Sequence, residues 1–273
     1  RGQRRAPAEL RGEYRETPLL RATAQHPDIR SISAHLDELY GASLGPLVRK
    51  KGEVQTTGFF ADFIEDRFAG APVFRQAAEF LGEVLLEPAL QNGAFLPDVV
   101  SGERLNLENT IAARINDKRT WATSELLRVM CAGEAYGVPR LGELEDVRAL
   151  DEKTLYAHYR ALLTHSQVEI FYMGSQSPDA AAEAFREALR DLPRGEITPC
   201  GTVVVPKADA VRKEERALDV TQGKLVLGFR TGCTLTDAEF PALLMMNAIY
   251  GGGITSKLFM KVREEMSLCY YAM

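Results

Sequence analysis

The side chains that could do chemistry are few and scattered. Four histidines, His26, His35, His158 and His165, could offer neutral imidazole to a metal. No two of them stand at helical i, i+4 spacing, so there is no His-Glu-x-x-His helix. His158 and His165 are seven apart and could share one helix face. The four cysteines, Cys131, Cys200, Cys233 and Cys269, contain no C-x-x-C pair, which argues against a zinc ribbon and against a dense disulfide framework. The run Gly251-Gly252-Gly253-x-x-Ser256-Lys257 has some parts of a phosphate loop, but it lacks the four-residue gap before Gly-Lys-Ser/Thr and follows a predicted helix. It reads as a helix-to-helix connection. Carboxylates at Glu13 and Glu16, and at Glu103 and Glu108, could do acid–base work or form solvated helix faces. On residue chemistry alone no catalytic centre is defined.

The elements that would position these groups are legible. Ile29, Ile32, Leu36 and Leu39 recur at helical spacing behind Pro27-Asp28, and Gly41 ends the helix. Ala42 to Arg49 and Glu53 to Ile64 read as strands joined through Lys50, Lys51 and Gly52. Phe74 to Leu86 is an amphipathic helix closed by Pro88, and Pro97 opens a long helix through Ile115. A short helix is expected over Trp121 to Cys131, a loop over Tyr136 to Gly142, and a helix over Asp151 to Leu163 with Asp151 as its cap. Val168 to Met173 is a short apolar strand, and Pro178 to Leu192 an Ala-rich helix. Residues 193–213, with Pro193, Gly195, Pro199, Gly201 and Pro206 around Thr202 to Val205, read as a linker between a first domain over 1–192 and a second over 214–273. The second holds a strand (Lys224 to Phe229), an apolar helix (Ala238 to Ile249), a helix through Arg263 and a final strand. Strands and helices mix without strict alternation, the pattern of an α+β fold.

Composition narrows the function classes. The 273 residues are 45% hydrophobic and 26% charged, enough for a sizeable core. The net charge of −5 carries no basic excess of the kind a duplex nucleic-acid binder needs. The arginines of the basic start, Arg1 to Arg15, read as a solvated segment. No apolar run has the length of a membrane span, and no apolar stretch follows the charged start as in a signal peptide. A cytoplasmic protein with no nucleic-acid or membrane partner is expected. The start at Arg1 and the stop at Met273, within a predicted strand, are what a piece of a longer protein would have.

Four stretches together resemble the pitrilysin/insulinase-type zinc metallopeptidases, the inverted-zincin group that includes the mitochondrial processing peptidase. They are Ala22-Thr23-Ala24-Gln25-His26-Pro27 followed by a helix and Leu39-Tyr40-Gly41-Ala42; Glu103-Arg104 with Leu107 and Ile111; Tyr136-Gly137-Val138-Pro139 through Gly142 with Leu150, Leu155 and Tyr159; and Gly251-Gly252-Gly253-x-x-Ser256-x-Leu258-Phe259-x-x-x-Arg263-Glu264-x-x-x-Leu268-Cys269-Tyr270. The last is the most specific. The resemblance implies an α+β fold: an antiparallel-dominated sheet with helices packed on one face, repeated in a second, truncated domain.

Active members of that family bind zinc through His-x-x-Glu-His and a distant Glu, leaving an open position for water. The five matching positions here read Glu13-Tyr14-Arg15-Glu16-Thr17, and the third-ligand position falls at Thr110, with Glu108 two residues off. Only Glu16, at the base position, matches. A carboxylate and two hydroxyls do not replace two imidazoles and a carboxylate, so the resemblance implies a non-catalytic homologue without zinc. What survives is Arg263 and Tyr270, matching family residues that hold the substrate peptide and stabilise a developing oxyanion. The expectation is a partner subunit of a zinc-bearing homologue, as in bacterial two-gene sets, that contributes peptide binding. A peptide would add as a strand to the edge near Ala42 to Arg49, where Pro46 removes one donor. The alternatives are an active zinc endopeptidase with unusual ligands and a purely structural scaffold.

Overall fold

The computed structural model describes residues 18–197 and 205–273. The chain is α+β, and its strands pair only antiparallel among the described residues. Among them, one compact unit contains residues up to 197 together with 218–226, and a second contains 205–217 and 227–273.

The first unit begins with a capped helix, α1 (Ile29–Glu38). The Asp28 carboxylate accepts from the Ser31 N–H at 2.7 Å, and Ser31 Oγ accepts from the Asp28 N–H at 3.2 Å. This reciprocal pair satisfies two of the helix's orphan donors. The Ser31 N–H bond, more than any other contact, holds the Asp28 carboxyl below its ordinary range. After α1 the chain forms the hairpin β1 (Ser43–Lys51) and β2 (Val54–Asp62), joined by Gly52-Glu53, with Ser43 opposite Asp62 and Lys51 opposite Val54.

Helix α2 (Val73–Leu86) is the unit's centre because it is apolar on most of its surface: Val73, Phe74, Ala77, Ala78, Phe80, Gly82 and Val84 are all buried. Phe80 and Val84 pack with Ile32 of α1, and Leu36, Leu44 and Phe59 close over them. The hairpin and α1 thus cover one side of α2. Each such large side chain contributes roughly 1.5–3 kcal/mol on leaving water. On another side lies α7 (Pro178–Ala188), and the approach is close enough to require Gly82, since a Cβ there would meet the Ala188 carbonyl oxygen at 2.3 Å.

A short ladder, β3 (Leu90–Gln91) with β4 (Ala94–Phe95), leads to α3 (Pro97–Ala113), which opens on Pro97 as the sequence requires. Helices α4 (Lys118–Met130), α5 (Leu144–Arg148) and α6 (Glu152–His165) follow. Asp151 caps α6 in the same reciprocal manner as Asp28 caps α1, with Thr154 as its partner. Phe95, Val100 and Tyr159 form a second cluster, and Leu19 packs against both clusters.

Tyr159 of α6 donates its hydroxyl to the Leu85 carbonyl at the end of α2. Burial first, then the neighbouring Tyr156, pushes its phenol up to about 12. Between pH 10 and 12 the unfolded chain therefore loses this proton while the folded chain keeps it, so stability falls as pH rises through that window. Alkaline titration followed by tyrosinate absorbance and circular dichroism is expected to show Tyr159 ionising only as the first unit unfolds. Tyr159→Phe is expected to cost about 1 kcal/mol at neutral pH through the lost hydrogen bond, yet to flatten the alkaline loss. An unchanged alkaline profile in the variant would refute this.

Three predicted strands are not paired. Val168 to Met173 and Lys224 to Phe229 take part in no ladder among the described residues, nor does the final stretch that holds Cys269, Tyr270 and Tyr271. Apolar β-branched and aromatic residues favour extended backbone, but a strand is completed only by a neighbour's hydrogen bonds. The Thr202–Val205 run lies largely outside the described residues.

In the second unit, α8 (Phe240–Gly251) is apolar on every side and leaves Leu244, Met245, Met246, Ile249 and Tyr250 exposed. A π-helical turn, Phe259–Glu265, follows. No helix among the described residues is long and apolar enough to cross a membrane.

Candidate functional site

Glu13, Glu16 and Thr17 lie outside the described residues. Thr110 lies on α3, exposed, and its hydroxyl donates to the Asn106 carbonyl of its own helix at 2.9 Å. Glu103 is seven residues earlier, two turns away and on nearly the same face. Glu103 is buried and ion-paired with Arg21. Glu108 points elsewhere, toward Arg148 at 3.2 Å and Arg104 at 3.9 Å. Where the resemblance places the third ligand, α3 thus offers a neutral hydroxyl engaged with its own backbone, and the carboxylates beside it are held by guanidinium groups. Zinc takes thiolate, imidazole or carboxylate, so these residues do not fit a zinc centre. Among the described residues no three His, Cys, Asp or Glu side chains converge to hold a metal. His158 and His165 share α6, and the His165 ring is engaged by the Glu196 carbonyl at 3.0 Å.

Arg263 and Tyr270 both belong to the second unit. The glycine run Gly251 to Gly253 connects α8 to the π-turn, as the sequence implies; Ser256 is buried, and its hydroxyl accepts from the Phe259 N–H at 3.3 Å. The turn is π-helical because the Met266 N–H reaches back five residues to the Lys261 carbonyl at 3.0 Å. This places Arg263 with its guanidinium 5.5 Å from the Phe259 ring centroid and ion-paired to the adjacent Glu264. Its side chain remains 42% exposed. Ser267, at φ 51°, then turns the chain, and Tyr270 follows at 78% exposure. Arg263 and Tyr270 are not joined to each other by a hydrogen bond or a ring contact among the described residues. Both side chains are within reach of solvent, and the partners of Arg263 are local and partly exposed, so a bound carbonyl or carboxylate can compete for it.

The edge near Ala42 to Arg49 is also partly committed. The Val48 carbonyl accepts from Arg140 at 3.4 Å, so it faces away from β2. By the two-residue period of a strand, Pro46 and Leu44 face the same way. Pro46 therefore removes a donor from the outer edge and not from the ladder. Lys50 Nζ donates to the carbonyls of Ala135 (2.9 Å), Tyr136 (2.8 Å) and Val138, tying the hairpin end to the Tyr136–Pro139 loop. Gly137 is needed in that loop because a Cβ would meet the Cys131 carbonyl oxygen at 2.4 Å.

One network escapes sequence reasoning. Thr23 is buried, donates to Glu83, and accepts from the His26 N–H at 2.8 Å; His26 Nδ1 lies 2.8 Å from the same Glu83 oxygen. Ala24 N–H donates to the Glu87 carbonyl at 2.8 Å and Ala89 N–H to the Ala22 carbonyl at 3.2 Å. The Ala22–Pro27 run is thereby clamped to the end of α2. The rings of His26, His35 and Phe80 meet at tilted and edge-on angles beside an open cleft of about 830 Å³. The only local signal is the short polar run before Asp28, and Glu83 lies 57 residues from His26, beyond any local pattern.

Residues 149–273 match the family described as the Peptidase M16 inactive domain. The chain is 34% identical over 260 residues, 93% of its length, to the Probable inactive metalloprotease YmfF of Bacillus subtilis. The chain is a pitrilysin/insulinase-type (M16) peptidase homologue. This M16 homologue also shares 25% identity over 198 residues with an uncharacterized zinc protease of Mycobacterium leprae, covering 71% of the present chain and 43% of that one. A conserved protein from Enterococcus faecalis V583 superposes with a TM-score of 0.75 at 28% identity, over 94% of this M16 homologue. A peptidase M16 inactive domain from Pseudomonas fluorescens has the same fold at 16% identity, with a TM-score of 0.63, covering 94% of this chain and 59% of that one. The M16 homologue spans 60% of the Bacillus relative's length and 61% of the Enterococcus chain. The family match includes the π-turn, Arg263 and Tyr270.

Proposed function

We propose that this chain is a non-catalytic M16 subunit that binds peptide for a zinc-bearing homologue, with Arg263 and Tyr270 facing the substrate. The observation that carries the reading is Thr110. Where a zinc ligand is required, a hydroxyl bonds back into its own helix, while the Arg263–Tyr270 segment keeps its polar groups open. The Bacillus relative's name, an inactive metalloprotease, supports the same reading. A guanidinium can donate two hydrogen bonds to a peptide carbonyl or carboxylate, and a phenol can donate to a developing oxyanion. Neither step needs a metal on this chain.

The test is reconstitution. The purified chain is expected to bind less than one zinc per ten chains and to cleave no peptide. Mixed with a homologue carrying an intact His-x-x-Glu-His motif, it is expected to raise peptide cleavage at least tenfold over that homologue alone. One zinc per chain with cleavage by the chain itself would overturn the proposal in favour of an unusual metallopeptidase. No change in the mixture would overturn it in favour of a scaffold.

A further inference from the structure

Arg263 does not meet solvent as a bare cation. Its Nη1 donates to the carboxylate of Glu264, the next residue along the chain. The Phe259 ring centroid lies 5.5 Å from the guanidinium carbon, within the range of a cation–π contact. The backbone that carries the pair is closed on itself: the Met266 N–H donates to the Lys261 carbonyl at 3.0 Å, and the Leu268 N–H to the Val262 carbonyl at 3.1 Å. Lys261, the other cation of the π-turn, is paired with Glu265. Within Phe259–Glu265 two cations thus meet two carboxylates, and the turn carries no net charge.

The guanidinium still holds donors in reserve. A guanidinium presents five N–H groups in a fixed fork, and among the described residues Nε and Nη2 of Arg263 make no hydrogen bond. A peptide carbonyl can take these donors and leaves the Glu264 pair intact, because it brings no charge. A carboxylate brings a second negative charge beside Glu264, and like charges side by side are disfavoured. Displacing Glu264 is no easy escape, since a neighbour in the same chain competes at a high effective concentration. The side chains of Arg263 and Glu264 are 42% and 40% exposed, so solvent screens the effect and holds it to about fivefold.

We propose that Glu264 decides what Arg263 accepts: the pair reads neutral peptide carbonyls and turns away a segment that brings a carboxylate to the guanidinium, whether an acidic side chain or a chain end. The proposal rests on the reading that Arg263 faces the substrate. Glu264 acts through Arg263 and is a positioning residue.

The experiment uses the full chain reconstituted with a homologue carrying an intact His-x-x-Glu-His motif. The probes are pairs of fluorogenic peptides, identical except for Gln or Glu at one position, and the position is walked along either side of the cleaved bond. The readout is the ratio of kcat/KM for the Gln peptide to that for the Glu peptide. The homologue contributes equally in every mixture, so the change between variants isolates this chain. At one position or more, Glu264→Gln is expected to lower the ratio about fivefold, whereas Glu264→Asp keeps the charge and most of the ratio. Raising the salt is expected to shrink the ratio with the unaltered chain and to leave it unchanged with Glu264→Gln. Circular dichroism of the free chain checks the fold; should Glu264→Gln disturb it, the salt dependence of the unaltered chain decides. A ratio that Glu264→Gln leaves alone at every position, while Arg263→Ala still lowers cleavage of both peptides, would overturn this proposal and leave the substrate role of Arg263 standing. A ratio indifferent to salt, or one shifted as far by Glu264→Asp as by Glu264→Gln, would overturn it as well. If Arg263→Ala lowers cleavage of neither peptide, the substrate role of Arg263 falls and the proposal with it.

Discussion

Gly82→Val is expected to destabilise the first unit by about 3 kcal/mol, the upper range for overpacking a well-filled interior. The neighbour it would meet decides the sign. Any Cβ at position 82 would sit 2.3 Å from the Ala188 carbonyl oxygen, and its other close neighbours are Ala188 atoms as well. A backbone group cannot swing aside as a lysine tip can, so α7 must move away from α2 by roughly 1 Å to restore an ordinary contact. That displacement strains the packing around Phe74, whose ring lies 5.7 Å from Phe185 of α7. Gly82→Ala isolates the effect. Alanine should gain about 1 kcal/mol in helix propensity, and the contact is expected to outweigh it, leaving a net loss of about 1 kcal/mol. The control is Gly102 on α3, where a Cβ meets nothing within 4 Å. Gly102→Ala should stabilise by up to about 1 kcal/mol. Denaturant melts of the three variants check this directly. Equal stabilisation by both alanine substitutions would mean that α2 and α7 do not approach as closely as described.

The second large effect is functional. In the reconstituted pair, Arg263→Ala is expected to lower kcat/KM for peptide cleavage by about 10- to 100-fold, the worth of a charged hydrogen-bonding contact to substrate. The stability of the chain itself should hardly change, because the interactions of Arg263 with Glu264 and the Phe259 ring are local and partly exposed. Arg263→Lys keeps the charge but loses the two-pronged geometry, so it should recover only part of the activity. Tyr270→Phe removes one hydroxyl from a side chain that is 78% exposed and should cost about tenfold if that hydroxyl meets an oxyanion. If all three variants activate the homologue as fully as the unaltered chain does, Arg263 and Tyr270 do not touch substrate, and the scaffold reading takes their place.

Much of the first unit is legible in the sequence because its causes are local. Asp28 with Ser31, Asp151 with Thr154, and Pro97 each fix a helix start within four residues of chain. The hairpin is legible because two patterned runs flank a short turn, but the turn falls at Gly52-Glu53 and Lys50 and Lys51 belong to β1, so the register differs from the one that a turn at Lys50-Lys51-Gly52 would set. The glycine run after α8 reads as a connection and is one, with Ser256 supplying the cap that the pattern alone does not specify. The family resemblance, carried by runs such as Tyr136-Gly137-Val138-Pro139, is also in the sequence, although the reason for Gly137 is not.

What required the tertiary structure is everything that depends on groups far apart along the chain. Thr23, His26 and Glu83 form one network across 60 residues, Tyr159 donates to Leu85 across 74, and Gly82 is glycine because Ala188 passes over it. None of these pairs leaves a periodic trace, since neither partner is specified by its own neighbours. The apolar run Val168 to Met173 marks the converse limit. Composition determined that it should be extended, because β-branched and aromatic side chains favour that backbone. Whether it becomes a strand depends on the hydrogen bonds of another segment, and pairing is a property of two segments that one segment's residues cannot settle.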